Sequence, residues 1–147
     1  MKLSTKGRYG LRAMVDLAVT CEEGPVPIQA IAKRQDLSEK YLEQLLGMLK
    51  KAGLVKSIRG NQGGYQIAGD TADISVGDIL RALEGELLPV DCVGFEDETS
   101  CKAAKSCATK YVWKKINESL EDTVNHITLK ELVAQTKSMQ AGTWKEE

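Results

Sequence analysis

Residues 38–67, SEKYLEQLLGMLKKAGLVKSIRGNQGGYQI, decide how the rest of the chain is read. Ser38 is a side-chain acceptor placed before a run in which Leu42, Leu45, Leu46 and Leu49 recur at helical spacing. A capped amphipathic helix is therefore predicted from Ser38 to about Ala52, with Gly53 as its stop. Two short β-prone runs follow, Leu54 to Ile58 and Tyr65 to Ile67, joined by Arg59-Gly60-Asn61-Gln62-Gly63-Gly64, a flexible glycine-rich tip suited to a hairpin.

Upstream, Leu11, Met14, Val15, Leu17 and Ala18 mark a first helix over roughly residues 5–21, ended by Gly24 and Pro25. Pro27 suits the first position of a second helix to Arg34, with Ile28, Ile31 and Ala32 inward and Gln35-Asp36-Leu37 as a turn. Two helices, a short turn and a third helix have helix-turn-helix spacing, and a hairpin directly after the third is a wing. Downstream, Ser75 and Asp78 suit a capped start for a short helix through Leu83, and the stretch 84–106 is irregular. Val112, Ile116, Leu120, Val124 and Ile127 line one face of a long helix from near Ala108, and Thr128 with Glu131 would cap a last short helix, Leu129 to Val133. The expected fold is mainly α with a small β-hairpin: a winged helix-turn-helix domain at 1–83, a cysteine cluster-binding loop at 84–107, a dimerisation helix and short C-terminal helix at 108–133, and a polar, flexible tail at 134–147. The long helix has a narrow apolar stripe and little chain left to cover it, which points to a homodimer; the competing reading packs the stripe on the first helix of the same chain.

With 147 residues, 42% apolar and 28% charged, the composition is that of one globular domain. Leu11 to Val19 is interrupted by Arg12 and Asp16, unlike a signal peptide. No stretch approaches the ~20 apolar residues of a membrane span, so a cytoplasmic protein with no membrane partner is expected. The net charge of −1 hides a sharp division. Residues 1–60 carry a basic excess of five, whereas residues 70–98 hold nine acids against Arg81 alone. A basic N-terminal half can meet phosphates, and the acidic segment cannot.

On the third helix, Lys40, Tyr41, Glu43, Gln44, Lys50 and Lys51 fall on the face away from the leucines. In a major groove Gln44 can bond an adenine edge, Glu43 can accept from cytosine or repel a wrong base, and Ser38 and Tyr41 can hold phosphates. A merely solvated helix face is the competing reading. Arg59 beside Gly60 at the wing tip is free to enter a narrow minor groove. Lys6, Arg8 and Arg12 are either phosphate contacts or solubilising charges. Tyr65 reads as a strand aromatic packed on the hairpin.

Cys92, Cys101 and Cys107 form a C-x8-C-x5-C array just before the long helix. In a reducing compartment such crowding suggests metal or redox chemistry. Thiolates suit zinc, Cu(I) or an iron–sulfur cluster, and the spacing lacks the paired knuckles of structural zinc sites. Cys21 ends an apolar helix face and reads as a small hydrophobe. His126 is the only histidine, and along one helix it lies roughly 28 Å beyond Cys107, so it reads as a surface residue. Asp91, Glu96, Asp97 and Glu98 are reachable oxygen donors, Lys110 would have to lose its proton to ligate, and the fourth ligand stays unassigned.

The N-terminal MKLSTKGRY, Tyr41-Leu42-Glu43-Gln44-Leu45 with Gly53-Leu54-Val55, the wing Arg59-Gly60-x-x-Gly63-Gly64-Tyr65, the three cysteines, and Ile127-Thr128-Leu129 together resemble IscR-type regulators over about residues 1–133. The resemblance implies a dimeric winged-helix repressor of iron–sulfur assembly genes that binds a palindromic operator, gauges cluster supply with its own cluster, and takes that cluster from assembly scaffold proteins. It further implies Ser38, Tyr41, Glu43, Gln44, Arg59 and Gly60 as DNA-reading positions, Cys92, Cys101 and Cys107 as ligands, and 2Fe–2S ahead of 4Fe–4S. Two positions depart from the pattern. Lys110 stands where the best-known branch has a ligating histidine, and Arg8 where the nitric-oxide-sensing branch has an aspartate that reaches the partner's cluster. A third branch, the cysteine-metabolism repressor, resembles the same winged half without the cysteine trio.

The sequence thus predicts a DNA-binding regulator whose cluster loop is ordered when loaded and mobile when empty. One rival is a cluster-free regulator of cysteine or sulfur metabolism, or of thiol or nitric-oxide stress. The other is a redox or metal-transfer enzyme built on the same fold; no Cys-x-x-Cys, P-loop or G-x-G-x-x-G supports it, and no enzyme is expected.

Overall fold

Ser4, Ser38, Ser75 and Thr128 each stand in an extended conformation before a helix, and each hydroxyl accepts a backbone N–H from the first turn beyond it. These caps divide the chain in a computed structural model that describes residues 3–93, 101–143 and 145. In order come α1 (Thr5–Thr20), α2 (Ile28–Gln35), α3 (Glu39–Lys51), β1 (Val55–Ile58), β2 (Gly64–Ile67), α4 (Val76–Glu84), α5 (Ala108–His126) and α6 (Leu129–Gln140), with short 3-10 turns at Cys21–Glu23, Thr71–Asp73, Asp91–Val93 and Ala104–Ser106. Among the described residues no helix is long and apolar enough to cross a membrane.

Residues 3–67 form the expected winged helix-turn-helix. Asp36 closes α2 in the left-handed region at φ 53°. Its short carboxylate side chain tolerates that conformation. The leucine stripe of α3, Leu42, Leu45, Leu46 and Leu49, is buried against Ala13, Met14 and Leu17 of α1 and Ile31 of α2. Each such side chain contributes on the order of 1.5–3 kcal/mol of burial. Strands β1 and β2 pair antiparallel from Val55 opposite Ile67 to Ile58 opposite Gly64. The base of this wing is tied to the α1–α2 connection, where Val26 and Tyr65 exchange both backbone hydrogen bonds at 2.9 and 2.8 Å. Gly64 makes the approach fit: its φ is +155°, and a side chain there would collide with the Val26 backbone.

Helix α4 crosses α1 where α1 has no side chains. A Cβ at Gly7 would meet the Glu84 carboxylate and one at Gly10 the Leu83 methyls, so these two glycines admit the end of α4 onto the α1 backbone. The capping box of Ser75 and Asp78 is formed as expected.

The C-terminal third differs from the sequence reading in two ways. The last helix does not stop at Val133 with a flexible tail from residue 134; α6 continues to Gln140. Leu129 is fully buried in the main core, Val133 packs against it, and Lys137 Nζ reaches Glu22 at 2.6 Å. Backbone bonds from Val76 N to the Ile127 carbonyl and from Leu129 N to the Ile74 carbonyl, both 2.8 Å, tie the α5–α6 junction to the start of α4. Residues 129–140 thus pack on the same core as the winged helix-turn-helix. The stripe of α5 also divides. Leu120, Val124 and Ile127 meet Val76, Leu80 and Leu87 in a second small core that Leu11 of α1 also borders, so its cover is mainly α4 of the same chain with a lesser part from α1. Tyr111, Val112 and Ile116 stay 66%, 46% and 39% exposed.

Candidate nucleic-acid interface and cysteine loop

The cap at Ser38 and the buried leucines fix how α3 is rotated, and its outer face follows. Lys40, Glu43, Gln44, Lys50 and Lys51 are exposed along it. Ser38 is exposed, and its oxygen accepts the Tyr41 N–H at 3.1 Å, which leaves the hydroxyl hydrogen free to donate to an outside group. Lys50 Nζ donates to Ser57 Oγ at 2.8 Å, joining the end of α3 to β1. The wing therefore stands beside the recognition helix, with Arg59 and Gly60 exposed at its tip and Gly60 at φ +113°. Lys56 and Ile58, also exposed on β1, were not singled out from sequence.

Tyr41 is less exposed than its neighbours on this face. Its ring is half-buried, edge-on to Tyr9 with centroids 6.4 Å apart, and its hydroxyl is enclosed with no partner among the described residues. In this state it braces α3 on α1. Tyr9 in turn lies under the Arg12 guanidinium, 5.5 Å from the ring centroid. Asp16, its side chain only 6% exposed, is gripped by Arg34 from Nη2 at 2.7 Å and Nε at 3.0 Å and receives Gln35 Nε2 at 2.8 Å. These hydrogen bonds to the carboxylate hold Arg34 more firmly charged than usual. Lys6, Arg8 and Arg12 are exposed at the start of α1. Arg8, Arg12 and Arg34 also rim a groove of about 400 Å³ between α1, α2 and α6 whose floor is Leu11, Val15, Val19 and Leu132. Tyr65 is half-buried against the main core, as expected of a strand aromatic.

All four cysteines are free thiols. Cys21 is half-buried against the main core, as its place in the sequence suggested. Cys92 sits half-buried in the turn at Asp91–Val93, Cys101 is exposed, and Cys107 is the residue before α5. Cys107 Sγ lies 3.1 Å from Thr109 Oγ1; that hydrogen bond, with backbone N–H groups of the first turn and the nearby Lys110 charge, lowers its pKa below the ordinary thiol range. Residues 94–100, including the possible oxygen donors Glu96, Asp97 and Glu98, lie outside the described residues. Among those described, no three His, Cys, Asp or Glu side chains lie close enough to hold a metal ion. The donor set fits a soft metal or iron–sulfur centre by its chemistry, three thiols and one already acidified. His126 is exposed at the far end of α5, its Nδ1 at 2.6 Å from the Asp122 carbonyl oxygen and 3.2 Å from the Asp122 carboxylate, which matches a surface residue near a helix end.

Known proteins share this arrangement. Residues 3–135 match the profile of a family described as Rrf2, iron-dependent transcriptional regulator. The chain is 43% identical to the HTH-type transcriptional regulator CymR of Bacillus subtilis over 140 residues, 95% of each protein. It is 41% identical to the HTH-type transcriptional regulator IscR of Klebsiella pneumoniae over 133 residues, 90% of this chain and 80% of that protein. Among solved structures it superimposes on CymR, the global cysteine regulator of B. subtilis, with a TM-score of 0.76 at 42% identity, covering 91% of this chain and 97% of the other. It superimposes on IscR of T. potens with a TM-score of 0.74 at 46% identity, covering 100% and 94%. The relatives are transcriptional regulators and not enzymes.

Proposed function

Because this chain belongs to the Rrf2 family and is a DNA-binding transcriptional regulator, we propose that it acts in the cytoplasm as a homodimeric repressor on a palindromic operator and gauges iron–sulfur supply through a cluster held by Cys92, Cys101 and Cys107. The observation that carries the sensor reading is the complete set of three free thiols within the connection between α4 and α5. A cluster, when bound, would supply a redox-labile, removable centre whose presence reports iron–sulfur status, with 2Fe–2S favoured over 4Fe–4S and assembly scaffold proteins as donors.

The chain's own residues do the reading. Gln44 and Glu43 face the major groove, Lys40 and Ser38 hold the backbone, and Arg59 beside Gly60 enters the minor groove. Tyr41 positions α3 from behind. The exposed start of α5, with Tyr111, Val112 and Ile116, is the surface on which a second copy would pair. Order in the cysteine loop would then set the disposition of the two recognition helices.

A cluster-free regulator of cysteine or sulfur metabolism is the second reading. The 43% identity to CymR favours it, as does Lys110 at a position where relatives of the first kind carry a ligand. Protein purified without oxygen separates the two. The sensor is expected to be brown, with iron and sulfide in stoichiometric amounts, and its operator affinity at fixed salt should change when Cys92→Ala removes a thiol. Colourless, iron-free protein with unchanged Cys92→Ala binding would refute the sensor and leave the second reading. Under either, Arg59→Ala should weaken operator binding by about tenfold or more; binding at the wild-type level would remove the wing from the interface.

A further inference from the structure

Glu84 is the last residue of α4, a position where a helix disfavours negative charge. Its carboxylate is placed instead on the opposite kind of helix end. Glu84 Oε1 accepts the Ser4 N–H at 2.6 Å and the Ser4 hydroxyl at 2.5 Å, over the N-terminus of α1, while the same Ser4 oxygen caps Gly7. A carboxylate at a helix N-terminus with two donors is a strong local attachment. The missing side chain of Gly7 makes room for it: a Cβ there would stand 2.5 Å from Oε1 and 2.8 Å from the carboxyl carbon.

Two connections run outward from this contact. On one side Gly85, at φ +82°, ends α4 and begins the segment that reaches Cys92 eight residues after Glu84. On the other, the first two turns of α1 carry Lys6, Arg8 and Tyr9, and Tyr9 braces Tyr41 of the recognition helix. The root of the cysteine loop is thereby joined, by this carboxylate beside the Leu83 packing at Gly10, to the helix that supports α3 from behind. We propose that Glu84 is a positioning residue that transmits the state of the cysteine loop to α1 and, through the Tyr9 to Tyr41 contact, to the DNA-reading face; the sensing step rests on the iron–sulfur reading above.

The test compares operator affinity of loaded and empty protein at fixed salt for wild type, Glu84→Gln and Glu84→Ala. A residue that only stabilises the fold would weaken both forms alike. The latch predicts that Glu84→Ala brings the loaded-to-empty affinity ratio at least about fivefold closer to one, with iron per chain at the wild-type level, and that Glu84→Gln, which keeps an acceptor oxygen, falls between. An unchanged ratio in Glu84→Ala overturns the latch, as does loss of iron from that variant or a ratio of one in loaded wild type. If wild type purifies without iron, the sensor reading falls by itself, and amide exchange decides the latch. Faster exchange over residues 5–9 together with residues 39–44 in Glu84→Ala supports it; faster exchange over residues 5–9 alone overturns it.

Discussion

Cys107 and Glu84 illustrate how much a single residue's role depends on what is near it in space. The cysteine trio was legible because three thiols in a short stretch of a chain with four are conspicuous by type alone, whereas the acidity of Cys107 depends on Thr109 and the first turn of α5. Its lowered pKa has a definite consequence for cluster-free protein. The thiolate persists to lower pH than in an ordinary cysteine, so as pH falls Cys107 should keep reacting with iodoacetamide after an unstructured cysteine peptide has stopped. Mass spectrometry of alkylated peptides across a pH series checks this, and coincident pH profiles would contradict it. Glu84 left one faint trace in the sequence, an acid at the wrong end of a predicted helix, but the donor it serves lies 80 positions away. The half-buried state of Tyr41 was out of reach for a related reason: its edge-on contact with Tyr9 joins positions far apart in the sequence.

Among the elements, the three helices and the wing were readable because local signals agree: serine caps, leucines at helical spacing, and glycines where the hairpin must turn or touch its neighbour. The end of α6 was not. Residues 134–140, AQTKSMQ, have a polar composition, and what keeps them helical is contact with distant partners, including Thr136 and Gln140 along the α1 groove and Lys137 on Glu22. Removing residues 135–147 should therefore lower the melting temperature by about 3 °C or more, measured by circular dichroism; an unaltered transition would restore the picture of a dispensable tail. The partial cover of α5 was likewise out of reach, because period alone marks a stripe without saying which neighbour takes which part of it.

At the scale of the whole molecule, charge and apolar surface are sorted. The basic excess lies on the winged half, the acidic run covers α4 and the approach to Cys92, and the exposed apolar cluster on the described surface of α5 stands at its start. If that cluster is the pairing surface, Ile116→Glu should convert a dimer to a monomer in light scattering and weaken binding to a palindrome far more than to a half-site. A dimer that survives the substitution would move the interface elsewhere, such as the groove of Leu11, Val15, Val19 and Leu132. The anchoring of the wing bears on this same scale. Since Val26 grips Tyr65 and Lys50 reaches Ser57, a wing placed in one groove, as proposed above, would not swing independently of α3 in the other. On that docking the duplex would do the adjusting, and operators would be selected partly for how readily their narrow groove comes to meet a fixed caliper.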